Sequence, residues 1–193
     1  LALGHVSASI TIGGDYRIHT ASDGATRVAI RGAWSFTDEA FTEKVADIIG
    51  GHRVFWSDRS SPYLVTVTQT VQRSEGQMSV GGTGLSDAFA FFATPNVGDA
   101  PLTRTLAHES FHTWVPGLIG GMPEENEAAS YWFSEGLTDF YTGRMLVRAN
   151  LWTPQQFAED LNQMLEAYAQ SPVREAPNVL IVPDFWANQQ VKQ

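Results

Sequence analysis

The stretch Leu102-Thr-Arg-Thr-Leu-Ala-His108-Glu109-Ser-Phe-His112-Thr-Trp114 contains the pattern His-Glu-x-x-His in a segment typical of a helix. Residues four apart lie on one face of a helix, so His108 and His112 can present two imidazole nitrogens to one tetrahedral zinc ion. Glu109 is offset from His108 by about 100°, which places it beside the metal and not among the ligands. The spacing therefore predicts Glu109 as a general base that takes a proton from water at the zinc.

A hydrolytic zinc site needs a third protein ligand and one position for water. Glu135 is the main candidate, because it lies in a segment whose apolar stripe predicts a second helix packed against the first. The stripe consists of Trp132, Leu137 and Phe140. Asp139 lies one turn beyond Glu135 on the same face, where it could accept the outer ring N–H of a zinc-bound histidine.

Other carboxylates stay open as the third ligand. Glu124, Glu125 and Glu127 also follow the histidines, in a connection rich in Gly, Pro and Asn that is more typical of a solvated loop. The alternative to a metal site is a pair of packed histidines beside a surface glutamate.

The chain resembles the glycyl aminopeptidase family of zinc metallopeptidases, whose longer members carry a PDZ domain. The resemblance is carried by the His108–Trp114 motif, by the aromatic-rich Trp132-Phe-Ser-Glu135-Gly helix and by Arg148-Ala-Asn-Leu. It implies His108, His112 and Glu135 as zinc ligands and Glu109 as base, as in the thermolysin-like and aminopeptidase N-like relatives. The pairing of Glu135 with Asp139 is similar to the Glu-x-x-x-Asp pattern of the thermolysin-like group.

A glycine-rich strand precedes the histidine motif. Residues 63–70, 78–85 and 88–92 have the patterns of strands, and the second of them contains Gly81, Gly82, Thr83 and Gly84. Glycines weaken a strand, a cost that fits a substrate backbone lying along a sheet edge. The family resemblance implies the same role. Aminopeptidase relatives usually carry a glutamate there for the substrate's free amino terminus, whereas Thr83, Gly84 and Leu85 offer no carboxylate and Asp87 is displaced.

The remaining patterns predict an α+β fold that is gluzincin-like, with a mixed, mostly antiparallel sheet and a helical opposite wall. Residues 6–12 and 26–30 predict strands, and residues 37 to about 58 predict an amphipathic helix, which Gly50 and Gly51 either end early or interrupt. His52 falls on its buried or flanking face. Thr153, Pro154 and Gln156 predict a capping box that starts a further helix. We expect a single catalytic domain over residues 1–193, with a β-rich lobe to about residue 98 and a helical lobe after it.

Composition limits the partners. The 193 residues carry a net charge of −9 and no cysteine, which argues against a nucleic-acid surface and against a disulfide framework. No apolar run is long enough for a transmembrane segment. The first residues lack an initiator Met, so we expect a piece of a longer chain with further domains, as in the family. The compartment stays open between periplasm and cytoplasm.

These features predict a zinc-dependent peptidase, an aminopeptidase or an endopeptidase, that cleaves a peptide or protein substrate. The oxyanion donor that such a site needs stays unassigned, with Tyr131, Tyr141 and Tyr168 as candidates. The resemblance to aminopeptidase N-like enzymes implies instead a donor near or beyond Gln193. Two alternatives are a zinc hydrolase of a non-peptide substrate and a catalytically incomplete module that binds peptides.

Overall fold

A five-stranded sheet forms the centre of the computed structural model, which describes residues 10–59, 62–85, 87–123 and 125–177. The strands are β1 (Arg17–Thr20), β2 (Thr26–Arg31), β3 (Tyr63–Gln69), β4 (Val80–Leu85) and β5 (Ala88–Ala93). They lie in the order β1-β2-β3-β5-β4. The predictions that the sheet is mixed and that β4 lies at its edge are both confirmed.

The prediction of a mostly antiparallel sheet is wrong. β2 pairs in parallel with β3, and β3 in parallel with β5, while the two outer pairings are antiparallel. A parallel pair needs a crossover connection, and helix α1 (Asp38–Trp56) supplies it between β2 and β3. The sequence of β3 alternates Val and Thr, which is typical of an antiparallel strand with one solvated face, but Thr66 is buried as well as Val65 and Val67.

The main core lies between the sheet and the helices. Alternate residues of the three central strands come into register as two rows across one face, and all six side chains are buried. The rows are Val28, Val65 and Phe89, and Ile30, Val67 and Phe91. Burying each such side chain contributes about 1.5–3 kcal/mol. This face also packs against Phe41, Val45 and Ile49 of α1.

The first strand differs from its prediction. Residues 10–12 are not in a strand, and the rest of the predicted 6–12 strand lies outside the described residues. Instead β1 comes later, where its only large apolar side chain, Ile18, is 65% exposed. Arg17 and His19 bond Asp38 in the first turn of α1. The strand is attached through polar contacts, which is why hydrophobic alternation did not indicate it.

Helix α1 settles the boundary that the sequence left open. Thr37 caps its N-terminus by accepting a hydrogen bond from the Ala40 amide, and the helix runs through Gly50 and Gly51 without a break. It ends at Ser57, which has a left-handed conformation with φ of 54°. His52 is fully buried, as predicted.

Three further helices follow the sheet: α2 (Asp99–Phe111), α3 (Tyr131–Arg148) and α4 (Pro154–Gln170). A short 3₁₀ helix, Glu127–Ser130, leads into α3. The predicted capping box of Thr153 and Gln156 at α4 is confirmed. No residue of α4 is fully buried, and its apolar side chains Leu165 and Tyr168 are exposed.

The apolar stripe predicted for α3 is wrong in part. Trp132 is 69% exposed, and α3 instead buries Ser134, Thr138, Thr142 and Gly143, followed by Met145 and Leu146. Small side chains allow a close approach: a Cβ on Gly143 would lie 2.5 Å from the Phe157 ring of α4. The helix itself is therefore correctly predicted, but the face that it buries is not.

Among the described residues, none of the helices combines the length and the hydropathy of a membrane span.

Candidate metal centre

The two histidines of the motif lie at the C-terminal end of α2. His108 is in the last turn, and His112 is the C-cap residue, which keeps helical angles with φ of −62° and ψ of −17°. The helical geometry therefore continues through the whole motif. The two imidazole rings lie 4.9 Å apart at their centroids and nearly perpendicular, at 87°.

Packing of α3 against α2 brings Glu135 to both histidines. Its Oε2 atom lies 3.2 Å from Nε2 of His108 and 3.5 Å from Nε2 of His112. With metal–ligand bonds of about 2.0–2.2 Å, two ligand atoms on a tetrahedral zinc stand about 3.3–3.6 Å apart. One ligand atom from each of the three residues fits within 4.8 Å of the others. The three predicted ligands are thus brought together at a spacing that suits zinc.

The outer ring nitrogens fix which nitrogen of each histidine faces the cluster. His112 Nδ1 lies 2.8 Å from the carbonyl oxygen of Val115, and because a carbonyl only accepts, Nδ1 carries the proton. His108 Nδ1 lies 2.8 Å from Oδ1 of Asp139, the contact that the sequence predicted. In neutral imidazoles each Nε2 then holds a lone pair directed at the cluster, as metal-binding histidines require.

A partly buried charge network, which the sequence did not indicate, supports Asp139. Arg104 Nη2 donates to Oδ1 of Asp139 at 3.0 Å, and Arg104 Nε donates to Oδ1 of Asp160 in α4 at 2.9 Å. Arg104 precedes His108 by one helical turn, a spacing that could have marked it. Asp160 had no signal, because its contact depends on how α4 docks.

The metal-free cluster is held by pairing of opposite charges. Burial alone would raise the pKa of Glu135, but hydrogen bonds from His108 and His112 lower it to about 2. Burial alone would lower the pKa of His108, but hydrogen bonds to Asp139 and Glu135 raise it to about 9. The pKa of His112 is raised by Glu135 in the same way. A cation that binds here must displace protons from the imidazoles.

Glu109 lies in the electrostatic field of this cluster. Burial raises the pKa of its carboxyl group, and the charges of Glu135 and Asp139 raise it further, against the lowering effect of His108 and His112. A carboxylate with a raised pKa is a stronger base. This direction belongs to the metal-free site, because a bound cation would lower the pKa of the same carboxyl group. The role of Glu109 as a base stays a prediction.

Strand β4 runs directly beside the motif helix. A Cβ on Gly84 would lie 3.0 Å from the Glu109 carbonyl oxygen and 3.5 Å from Cβ of His112. A Cβ on Gly82 would clash with the Phe89 ring at 2.2 Å, while Gly81 has open space and Thr83 is exposed. Internal packing thus accounts for two of the glycines. The substrate-binding role of residues 81–84 stays a prediction.

The described residues among the other candidates, for the third ligand and for the substrate's amino terminus, lie outside the cluster. Glu125 and Glu127 are exposed and outside the group of candidate ligands, and Glu124 lies outside the described residues. Asp87 is turned towards Arg53, with its Oδ1 atom 3.9 Å from Nη2. It lines a cavity of about 460 Å³ that also contacts Trp56 and Thr113.

Of the three tyrosines that are candidates for the oxyanion donor, Tyr131 interacts electrostatically with the predicted ligand Glu135. Burial and the carboxylates of Glu127 and Glu135 raise its pKa. Tyr141 instead stacks on Phe111, with centroids 5.9 Å apart at 11°, and Tyr168 is 60% exposed on α4. The donor itself stays a prediction.

A buried histidine of α1, His52, contacts the motif from the side of the core. Ser110, between the two predicted ligands, has its Oγ 3.3 Å from Nδ1 of the buried His52. The imidazole of His52 meets the rings of Phe111 and Trp114 edge-on. Burial lowers the pKa of His52 to about 3, so this ring is neutral at physiological pH. The sequence indicated that His52 is buried but not that it contacts the motif.

The fold and the site together define an α+β protein with a cluster of two histidines and one glutamate on adjoining helices. Residues 102–181, which contain this cluster, match the M61 glycyl aminopeptidase family. The resemblance that the sequence indicates is therefore confirmed over the part of the chain that carries the site.

The fold also has a relative among solved structures. The crystal structure of an aminopeptidase N family protein from Idiomarina loihiensis is similar with a TM-score of 0.58, at 16% identity, over 75% of this chain and 27% of that one. The present chain thus spans about a quarter of the length of that protein. No curated protein matches the chain in sequence.

Proposed function

We propose that this protein is a zinc-dependent peptide hydrolase with a gluzincin-like site. The observation that carries the proposal is the position of the Glu135 carboxylate, 3.2 and 3.5 Å from the Nε2 atoms of His108 and His112. The outer nitrogens of both rings are engaged by Asp139 and Val115, so the inner nitrogens face one point. The M61 match over residues 102–181 supports a peptidase.

The donor set fits zinc better than other common cations. Two imidazoles and one carboxylate are the ligands of many hydrolytic zinc sites, whereas Mg²⁺ and Ca²⁺ prefer oxygen ligands. When bound, zinc would supply a Lewis acid that polarises the scissile carbonyl. His108, His112 and Glu135 would hold it, and Asp139 would keep the His108 ring in the required tautomer.

Glu109 is the proposed catalytic base. Its carboxylate accepts a proton from the attacking water and then donates that proton to the leaving amine. Glu109 directly follows the first ligand and is offset from it by about 100° on the helix, so its carboxylate lies beside the proposed metal position and not among the ligands.

The substrate is proposed to lie along β4. This strand is at the sheet edge and contacts α2 at Gly84, so an extended peptide added to its free side would pass the histidines. Thr83, Gly84 and Leu85 provide no carboxylate for a free amino terminus. We therefore favour cleavage within a peptide over removal of the first residue.

Replacing Glu109 with Gln tests the proposal. The variant is expected to bind one zinc per chain like the wild type but to lose at least about a hundredfold in kcat, the usual worth of acid–base catalysis. Peptides with free and blocked amino termini should be compared as substrates, together with esters and other non-peptide compounds. A wild-type protein that binds zinc but cleaves only non-peptide substrates, or one that binds peptides without cleaving them, would contradict the proposal.

A further inference from the structure

A chain of charged contacts links α4 to the candidate metal centre. Asp160 of α4 accepts from Arg104 at 2.9 Å, Arg104 donates to Asp139 at 3.0 Å, and Asp139 accepts from His108 at 2.8 Å. Each helix from α2 to α4 contributes to this chain. It ends on a residue that the proposed function assigns to zinc.

The position of Arg104 connects the two helices that carry the ligands. Arg104 and His108 are one turn apart on α2, and Asp139 and Glu135 are one turn apart on α3, so each pair shares a helix face. A single oxygen of Asp139, Oδ1, accepts from both Arg104 and His108. The orientation of this carboxylate is therefore set jointly by the histidine and by the arginine.

The guanidinium group can hold two carboxylates at once. Its Nε and Nη2 atoms point to Asp160 and Asp139 respectively, and the planar fork fixes the angle between them. A lysine carries the same charge as a point but cannot reproduce this fork. Arg104 therefore contacts Asp160 and Asp139 at the same time.

We infer that Arg104 and Asp160 are positioning residues for the metal centre, which make zinc affinity depend on the docking of α4. This inference rests on the proposed function. Arg104 keeps Asp139 turned towards His108, and Asp160 keeps Arg104 in place. Without them, the His108 ring loses its fixed orientation and the site holds zinc less tightly.

If the charge of Arg104 were its main effect, its removal would change the zinc affinity in the opposite direction to the one that the inference requires. Arg104 is a cation near a cation site, so removing it should tighten zinc binding if its charge were its main effect. Loss of a contact that orients a ligand instead weakens metal binding, typically ten- to a hundredfold. The sign of the change in Arg104→Met therefore separates the two explanations.

The experiment measures the zinc Kd by competition with a chromophoric chelator, at one pH and one salt concentration, for Arg104→Met, Arg104→Lys and Asp160→Asn. We expect Arg104→Met to raise the zinc Kd at least about tenfold, and Asp160→Asn to raise it in the same direction. Arg104→Lys should recover only part of the loss. Glu159→Gln is the control, because it removes the same charge from the neighbouring exposed position of α4. Within the part of the chain that the structure describes, Glu159 accepts a hydrogen bond only from Gln155 of the same helix, so its loss should leave the zinc Kd unchanged.

Thermal melting of the metal-free variants shows whether each one is folded. An unchanged or lower zinc Kd in folded Arg104→Met, or full recovery in Arg104→Lys, would overturn the inference while the proposed function stands. If Arg104→Met does not fold, Asp160→Asn decides, and an affinity equal to that of Glu159→Gln overturns the inference. A wild-type chain that binds no zinc overturns both.

Discussion

Gly84 lies so close to the motif helix that a Cβ atom at this position would be 3.0 Å from the carbonyl oxygen of Glu109. The neighbouring atom belongs to the backbone of α2 and cannot rotate away. The distance between β4 and α2 is therefore set by the absence of a side chain.

Gly84→Ala is accordingly expected to lower stability, by about 1–3 kcal/mol, the usual cost of overpacking. Gly81→Ala is the matched control, since a Cβ there meets nothing within 4 Å. Chemical denaturation of both variants measures the difference. Equal free energies of unfolding would mean that β4 does not approach α2 as closely as described.

Replacement of Glu135 by Gln should weaken zinc binding strongly, because the neutral amide loses the charge that faces both Nε2 atoms. Glu127→Gln is the comparison, because Glu127 is an exposed carboxylate of the 3₁₀ helix that leads into α3 and lies outside the cluster. Its loss should leave the zinc content unchanged. Metal analysis after dialysis measures both. If Glu127→Gln lost zinc and Glu135→Gln kept it, the third ligand would be misassigned.

Zinc binding should release protons at neutral pH. The pKa of His108 is about 9 in the metal-free protein, so this ring is protonated at pH 7 and must lose its proton before Nε2 can bind a cation. The zinc Kd is therefore expected to fall as pH rises from 6 to 9. Titration calorimetry in buffers of different ionisation enthalpy counts the protons, and a count of zero would contradict the charged state of the cluster.

The same groups give the metal-free protein a pH-dependent stability. The folded-state pKa of His108, about 9, exceeds its ordinary value of 6.5, so its contribution is complete below pH 6.5 and is lost as pH rises through 9. The pKa of Glu135, about 2, lies below its ordinary 4.5, so its contribution is complete above pH 4.5 and is lost as pH falls through 2.

The difference in unfolding free energy between wild type and Glu135→Gln should therefore be largest from pH 4.5 to 6.5. Denaturation curves with a chelator present measure it. A difference that is constant across pH would show that the pairing contributes nothing to the folded state.

His52 should affect the pH dependence of stability with the opposite sign to His108. Its folded-state pKa of about 3 lies below the ordinary 6.5, so between these values the unfolded chain binds a proton that the folded chain does not, and stability falls as pH falls. His52→Gln can still reach Ser110 but does not titrate. The wild type should lose stability relative to this variant between pH 7 and 5, and parallel profiles would argue against a neutral buried ring.

The sequence predicted the parts of this molecule that depend on local spacing. The i, i+4 relation of His108 and His112, and that of Glu135 and Asp139, follow from helix geometry alone. Arg104, Asp160 and His52 were missed as parts of the site because their contacts join segments far apart in the chain. Their partners are fixed only when the helices dock.

In the sheet too, local sequence patterns predicted the strands, whereas the pairing between distant strands was not predicted. Sequence patterns indicated β3, β4 and β5 correctly, yet the alternation of Val and Thr in β3 favoured antiparallel neighbours, whereas the strand is parallel to both and buries Thr66. The polar strand β1 gave no such pattern, because side-chain hydrogen bonds of Arg17 and His19 with Asp38 attach it. The burial of Ser134 and Thr138 on α3 also ran against expectation from hydrophobicity.

The glycine-rich composition of β4 has a bearing on self-association. An edge strand that can pair with an extended peptide can also pair with the same strand of another molecule, and repeated pairing of this kind produces aggregates or fibrils. Gly81, Gly82 and Gly84 give such a pairing little β-propensity and no side chains to interlock. A peptide that is also held by a metal ion nearby could bind along this edge, whereas a second copy of the chain, without that additional contact, would pair with it only weakly.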